Sequence, residues 1–499
     1  MIRIMGEHIG KILRNIGLVF GMTFVAALFS YATRVIVARK LGPEQFGLFS
    51  AVLTFILFFL FFRDLGLQSA LVNFIAKFKV ENKYNEIKTA IVSVFVLQLL
   101  SSSIIGLLII IFSGYLSVYY FKVPESKVIL LILVIYTMTS FLFITTKGIF
   151  NGLQKNLPYS LMEPAKNFFI FLMTVILLRY NLGILAAAIP YALVCIVLFL
   201  IFQPFIQGKL YFFKHKVVHF KEMSRDLLLF GLPLMAADIG GKIIAYTDTI
   251  MLTYFSSLSE VGIYNVVLPT SLFFIHVSRA ISAIVFPIST ELSFKKDFKN
   301  LAKGISLLHK YTLALMIPLI FILFAFANQY LLIFFGKEYV VGTLAFRILL
   351  VGSMFFIIAS VNNIIISSMG ETKTVTKIIL ISALLNVILN LFLIPLFGIN
   401  GAAIATSLAY LLILILSTRT LMKSVGVPSP YLHWLKLCLS ATVFVMVVFD
   451  VTKILQYTLY LEIVLSLFFA STIYLLLLYL FNIIDFIELK KTFLQIFKK

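Results

Sequence analysis

Ten ionisable residues fall inside long apolar stretches of this sequence: Arg34, Arg63, Asp64, Lys147, Glu163, Lys166, Asp238, Lys242, Asp248 and Arg279. A charge at the centre of a bilayer costs about 2.5 to 3.5 kcal/mol on insertion scales, so such residues face a protein interior or an aqueous cavity. Guanidinium groups bind phosphate through paired donors and stay charged when partly desolvated, which suits an anionic headgroup better than an ammonium does. Arg34, Arg63 and Arg279, with Asp64 beside Arg63, are therefore the candidates for gripping an anion in transit. Asp238, Lys242 and His276 are candidates for the polar lining of the same cavity. Blander readings stand beside these. Arg63 and Asp64, adjacent in FILFFLFFRDLG, also read as a salt bridge that pins two helices, and Asp238 and Lys242, one turn apart, as a self-neutralising pair. Glu163 and Lys166 read as a snorkelling or paired couple near a helix end. His276, one turn before Arg279, suits an interhelical hydrogen bond or a proton sensor.

Nothing in the chain adds covalent or nucleotide chemistry to these charges. No segment fits GxxxxGK[ST], and the GGK at Gly240 to Lys242 lacks both the upstream glycine and the following Ser/Thr, so a phosphate cradle for ATP is unsupported. An ion gradient or the membrane potential is the remaining energy source, with Na+ or H+ as the expected coupling ion and no other cofactor. The two cysteines, Cys195 and Cys438, sit in apolar runs without metal-ligand spacing and read as buried thiols. No outer connector is large enough to house the acid and base of a membrane glycosyltransferase or polymerase, so the chain is not expected to be an enzyme.

The elements that must position the charges are membrane helices. Of 499 residues, 62% are hydrophobic and 12% charged, with mean hydropathy +1.09. Several apolar runs exceed the roughly 18 residues needed to cross about 30 Å of hydrocarbon. The fold class is all-α and polytopic, with about fourteen transmembrane helices once the runs are cut at charged or Pro/Gly-containing connectors. The first apolar run continues to Ala38 without a cleavage site and reads as a spanning helix, not a leader. The net charge of +21 is a topology signal before it is a nucleic-acid signal. If the amino terminus is cytoplasmic, the inner connectors hold about 26 of the 41 Lys+Arg and the outer ones about seven. Both termini are thus expected on the cytoplasmic side of the cell membrane, with anionic lipid headgroups attracted secondarily and no nucleic acid as partner.

The chain also repeats. LGPEQFGLFS, from Leu41, resembles SLSEVGIYN, from Ser257, with Gly47 set on Gly262; Gly152 falls on Gly370 and Gly183 on Gly401. The shift spans about six helices, an even number, so the halves share one orientation and a pseudo-twofold axis along the membrane normal. This gives an amino-terminal lobe, 1–208, a carboxyl-terminal lobe, 209–424, and two added helices with a tail, 425–499. On this register Arg63 and Arg279 occupy corresponding depths and are expected to face one another across a central cavity.

RVIVARKLGPEQFGLFS, from Arg34, followed by FFRDLG, resembles the amino-terminal signature of the polysaccharide-exporter branch of the multidrug/oligosaccharidyl-lipid/polysaccharide exporter superfamily, the Wzx-type flippases. GIFNGLQKNLPY, from Gly148, and DTIMLTYFSSLSEVGIYN, from Asp248, extend the likeness. The resemblance implies a MATE-like V of two six-helix lobes, and the chain is expected to function as a monomer. It also implies alternating access that exports a lipid-linked oligosaccharide, with a phosphate or diphosphate headgroup, to the outer leaflet. The lipid II flippases of this superfamily place essential arginines on the first, second and eighth helices, which carries that role onto Arg34, Arg63 and Arg279. They also bind sodium, and the similarly arranged residues here are Asp248, Asn386, Asn390 and Thr406, with Asn390 standing where those proteins have a carboxylate. The alternatives are a lipid II flippase and a MATE-type cation-coupled multidrug exporter. The drug-exporter branch commonly carries an acid on the first or tenth helix, and here the first has none after Glu7 and the tenth none at all.

Overall fold

Apolar residues fill each run, and the backbone satisfies its polar groups within helices, as hydrocarbon requires. The computed structural model describes residues 2–210, 214–428, 431–455 and 459–481; the side chains of 2–16, 206–210, 277, 279, 280, 283, 284, 431, 433, 452–455 and 459–464 lie outside the described residues. The helices, in chain order, are α1 (Ile2–Asp64), α2 (Leu67–Val80), α3 (Tyr84–Tyr115), α4 (Ser126–Gly152), α5 (Asn156–Arg179), α6 (Leu185–Leu210), α7 (Phe220–Phe255), α8 (Leu258–Ser271), α9 (Ile275–Phe294), α10 (Phe298–Ala325), α11 (Ala327–Phe334), α12 (Thr343–Ser368), α13 (Thr372–Val425), α14 (Tyr431–Leu455) and α15 (Leu459–Leu480). No strand occurs among the described residues.

Ten of these stretches are long and apolar enough to cross a membrane. Two are too long for one crossing: α1, of 63 residues, and α13, of 54, each join two helices at a kink, Gly42 (φ 74°) and Gly398 (φ 54°). Counting those as two crossings each, and adding α15 and the pair α8 and α9, reproduces the fourteen expected spans.

The apolar residues from Phe46 to Ala76 read in the sequence as one long spanning helix, which is not continuous in the structure. It breaks at Leu65 and Gly66, both left-handed. The cause is a backbone crossing: a Cβ on Gly66 would lie 2.0 Å from the carbonyl oxygen of Gly231 on α7, so only glycine fits there. The break leaves Arg63 in the last turn of α1, where a cation meets the negative end of the helix dipole.

The backbone carries the repeat more regularly than the side chains do. Left-handed residues recur as Asn82 with Lys296, Lys122 with Gly336, Gln154 with Gly370 and Gly183 with Gly398, at spacings of 214 to 216 residues. The conformational partner of Gly183 is thus Gly398 and not Gly401, and that of Gly370 is Gln154 and not Gly152. The glycines matched in sequence, Gly47 and Gly262, pack on each other reciprocally. A Cβ on Gly47 would sit 1.8 Å from the Leu258 carbonyl oxygen, and one on Gly262 would sit 2.0 Å from that of Pro43. Small residues let membrane helices approach this closely, where van der Waals packing replaces the missing hydrophobic drive.

The chain packs as two compact units, the residues up to Val266 with Val387–Ala402, and Val267–Asn386 with those from Ala403 on. In the first, Leu67, Leu71, Ile75, Ile91, Phe150 and Met162 form part of a core fully removed from solvent or nearly so. In the second, Leu301, Ile305, Val361, Ile365 and Leu421 do the same. Cys195 is buried as expected, whereas Cys438, on α14, is exposed, so the expectation of a buried thiol fails there.

Candidate functional site

Arg63 and Asp64 are neighbours in the chain with different partners. Successive helical residues point about 100° apart, so the two side chains diverge. Arg63 is 1% exposed, and its Nη1 donates to Ser140 Oγ at 2.6 Å and to the Thr137 carbonyl at 3.4 Å, both on α4. Asp64 Oδ1 accepts from Gln98 Nε2 on α3 at 2.8 Å, and Gln98 Oε1 in turn accepts from Thr145 Oγ1 at 3.1 Å. No ion pair joins Arg63 to Asp64, so the pinning salt bridge is not formed. Ser101 Oγ caps the end of α1 by donating to the Arg63 carbonyl at 3.0 Å.

Ser140 marks the way from Arg63 to open space. It lines an open cavity of about 520 Å³ bordered by α2, α4, α5 and α6, within the size range of small-molecule sites. Three charges bound it. Glu163 accepts from Lys147 Nζ through Oε1 and from Lys166 Nζ through Oε2, each at 2.7 Å. The side chains of Lys147, Lys166 and Glu163 keep 23%, 22% and 34% of their surface accessible, so they face the cavity instead of being sealed in protein. Glu163 and Lys166 do pair, as expected, yet around a cavity and with Lys147 as a third member. Sequence reasoning missed Lys147 as their partner although a signal exists: it precedes the α4–α5 turn by about as many residues as Glu163 follows it, which sets both at one height in a helical hairpin.

The remaining predicted residues are placed as follows. Arg34 is half-buried on α1. Asp238 is exposed on α7 and makes no ion pair with Lys242, whose ammonium lies 5.8 Å from the Phe61 ring centre. The self-neutralising pair is therefore absent. His276 packs edge-on against Phe273 at 6.1 Å between ring centres. The side chain of Arg279 lies outside the described residues.

Asp248 is buried, and its two oxygens accept from Tyr264 Oη and, at 2.7 Å, from Asn390 Nδ2. Asn386 Nδ2 donates to Thr406 Oγ1 at 3.1 Å. Among the four predicted ion ligands, Asp248 is thus bonded to Asn390 and Asn386 to Thr406. Tyr264, the second donor to Asp248, is not among the residues singled out from the sequence. Its place, sixteen residues on across the α7–α8 turn, gives the same hairpin signal as Lys147 and Glu163. A further buried network, His309 with Asn362 at 2.6 Å and Asn362 with Ser417 and Thr418 at 3.2 and 3.1 Å, joins α10, α12 and α13.

Membrane-length helices around a charged internal cavity define a polytopic helical membrane protein with a polar site inside its bundle. Residues 12–293 match the family described as polysaccharide biosynthesis protein, and 233–392 match the MatE family. The chain belongs to the polysaccharide biosynthesis protein family of membrane transporters. It is 31% identical to an uncharacterized membrane protein of Methanocaldococcus jannaschii over 78% of this chain and 79% of that one. It is 25% identical to a probable low-salt glycan biosynthesis flippase of Haloferax volcanii over 50% of this chain and 53% of that one. Among solved structures, a lipid II flippase in an inward closed conformation superposes with TM-score 0.76 at 20% identity, covering 93% of this chain and 98% of that one. The fold is therefore MATE-like, as the sequence resemblance implied.

Proposed function

We propose that this chain is a flippase that moves a lipid-linked oligosaccharide with a phosphate or diphosphate headgroup from the cytoplasmic to the outer leaflet by alternating access. The observation that carries the reading is a net-positive cavity, two lysines to one glutamate with Arg63 behind Ser140, inside a helical bundle of the polysaccharide biosynthesis family. A cavity of that sign attracts anions and disfavours cationic drugs. Arg34, Arg63 and Arg279 are the proposed headgroup ligands, and no residue is assigned a catalytic role. The excess of Lys+Arg on alternate connectors supports cytoplasmic termini in the cell membrane.

Coupling to Na+ is part of the proposal, with Asp248, Asn386, Asn390 and Thr406 as ligands. Carboxylate, amide and hydroxyl oxygens are the donors that hard cations take. Asn390 turns its Nδ2 toward Asp248, and holding an ion there requires that amide to turn its oxygen inward. Asp248 would then hold a positive charge whose binding follows the ion gradient. The test is reconstitution in liposomes with a fluorescent lipid-linked oligosaccharide, read by leaflet-specific quenching with and without Na+ or H+ gradients. Unchanged leaflet distribution under every gradient sinks the proposal.

A further inference from the structure

The cavity of the first unit holds an ion cluster with spare capacity. Each ammonium has three N–H donors. Lys147 spends one on Glu163 and sits 5.4 Å from the Tyr159 ring centre; Lys166 spends one on Glu163 and sits 5.0 Å from that of Phe143. No other hydrogen bond or ion pair to either ammonium is found among the described residues. Two donors on each remain, and the cavity is the accessible space they border. On the same wall Gln68 Oε1 is buried without a hydrogen-bond partner, its amide lying so close to α4 that a Cβ on Gly148 would come within 2.7 Å of it. The cluster carries net charge +1 and is bridged by a single carboxylate that both lysines share. A bridging carboxylate between two lysines has the geometry of a bound anion.

We propose that Glu163 is an internal stand-in for an anionic group of the transported saccharide, and that this group, a sugar carboxylate or a phosphate, binds Lys147 and Lys166 by displacing Glu163. The inference rests on the flippase reading for its ligand class and deepens it, because it assigns a bound group to the lysine side of the cavity that Arg63 borders through Ser140. Exchange of one carboxylate for another anion leaves the number of charged hydrogen bonds at the lysines unchanged, so loading and release are both accessible. Gln68 and Tyr159 border the same space and offer hydrogen bonds to neighbouring hydroxyls.

The test measures binding of inorganic pyrophosphate, methyl glucuronide and neutral methyl glucoside to the purified full-length protein by calorimetry at constant ionic strength. Glu163→Gln removes the internal competitor and raises the site to +2, so the anion that binds the parent protein is expected to bind about tenfold tighter or more. Lys147→Met, which keeps the Glu163–Lys166 pair for folding, is expected to bind it about ten- to a hundredfold more weakly. Whichever of pyrophosphate and glucuronide gains affinity names the group. A folded Glu163→Gln protein with unchanged or weaker anion binding overturns the proposal, and so does equal binding of methyl glucoside. Flipping of lipid-linked oligosaccharide by the parent protein is scored separately, so loss of this inference and loss of the flippase reading are distinguishable.

Discussion

Arg63 is the residue whose replacement separates function from architecture. Its guanidinium is 1% exposed and bonds Ser140 Oγ at 2.6 Å and the Thr137 carbonyl at 3.4 Å, without a carboxylate in contact. Arg63→Lys keeps the charge but cannot reproduce the planar pair of donors, and losing one hydrogen bond to a charged group costs about 1.5 to 3 kcal/mol. If that loss falls on substrate affinity, it amounts to about ten- to a hundredfold. Arg63→Met behaves differently. It removes a buried charge together with its desolvation penalty, and the partners it leaves, the Ser140 hydroxyl and the Thr137 carbonyl, are neutral groups and not an uncompensated charge. The expected pair of results is therefore a methionine variant that melts within about 1 kcal/mol of the parent protein and yet does not transport. Melting is followed in detergent, and transport by leaflet-specific quenching in liposomes. Ser140→Ala, which removes the nearer acceptor, should lower both readouts together by about 1 to 3 kcal/mol, because it leaves a donor of a buried cation unsatisfied. Parental transport by Arg63→Met would return Arg63 to a purely structural role.

Separate parts of the molecule give three further expectations. Gly262→Ala forces a Cβ against the Pro43 carbonyl, and backbone cannot swing aside as a side chain can, so it should cost about 1 to 3 kcal/mol, whereas Gly241→Ala, which meets nothing within 4 Å, should gain about 0.5 to 1 kcal/mol of helix propensity. Thermal melts that rank these two the other way round would deny the glycine contact any weight in stability. Asp248→Asn should abolish any sodium dependence of transport while Tyr264→Phe, which removes one hydrogen bond to the carboxylate, should preserve it; sodium dependence surviving in Asp248→Asn means the ion binds elsewhere. Single cysteines at exposed Asn82 and Lys296 should react with an impermeant thiol reagent only after permeabilisation, and one at exposed Lys337 in intact cells, since the Lys+Arg excess lies on the first two connectors. Labelling of Asn82 in intact cells reverses the topology.

The helices were legible because apolar runs of membrane length admit one conformation, and so was the doubling of the chain, since its period of about six helices survives poor side-chain likeness. The register was less legible. Matching glycine to glycine set Gly183 on Gly401, but the property that recurs is a left-handed backbone, which Gly398 supplies and which Asn, Gln or Lys also adopt at Asn82, Gln154, Lys122 and Lys296. Gly47 and Gly262 matched correctly because there the glycine is required by contact with another backbone, a constraint no side chain satisfies.

The charged residues were legible as a set and illegible as pairs, for a geometric reason. Adjacency in sequence suggested that Arg63 and Asp64 act together, but a helix turns consecutive side chains away from one another, and these two reach α4 and α3 respectively. Distance in sequence hid the pairs that form. Lys147 meets Glu163, Asp248 meets Tyr264 and Thr249 meets Asn265, each sixteen residues apart across a tight helical turn. In a bundle of antiparallel neighbours joined by short connectors, residues equidistant from a turn share a depth, so polar residues placed symmetrically about a connector are better candidates for a common site than polar residues side by side. Applied to the amino-acid sequence alone, that rule selects Lys147 and Glu163 and removes Arg63 and Asp64 as partners, which places the cavity where α4 and α5 meet.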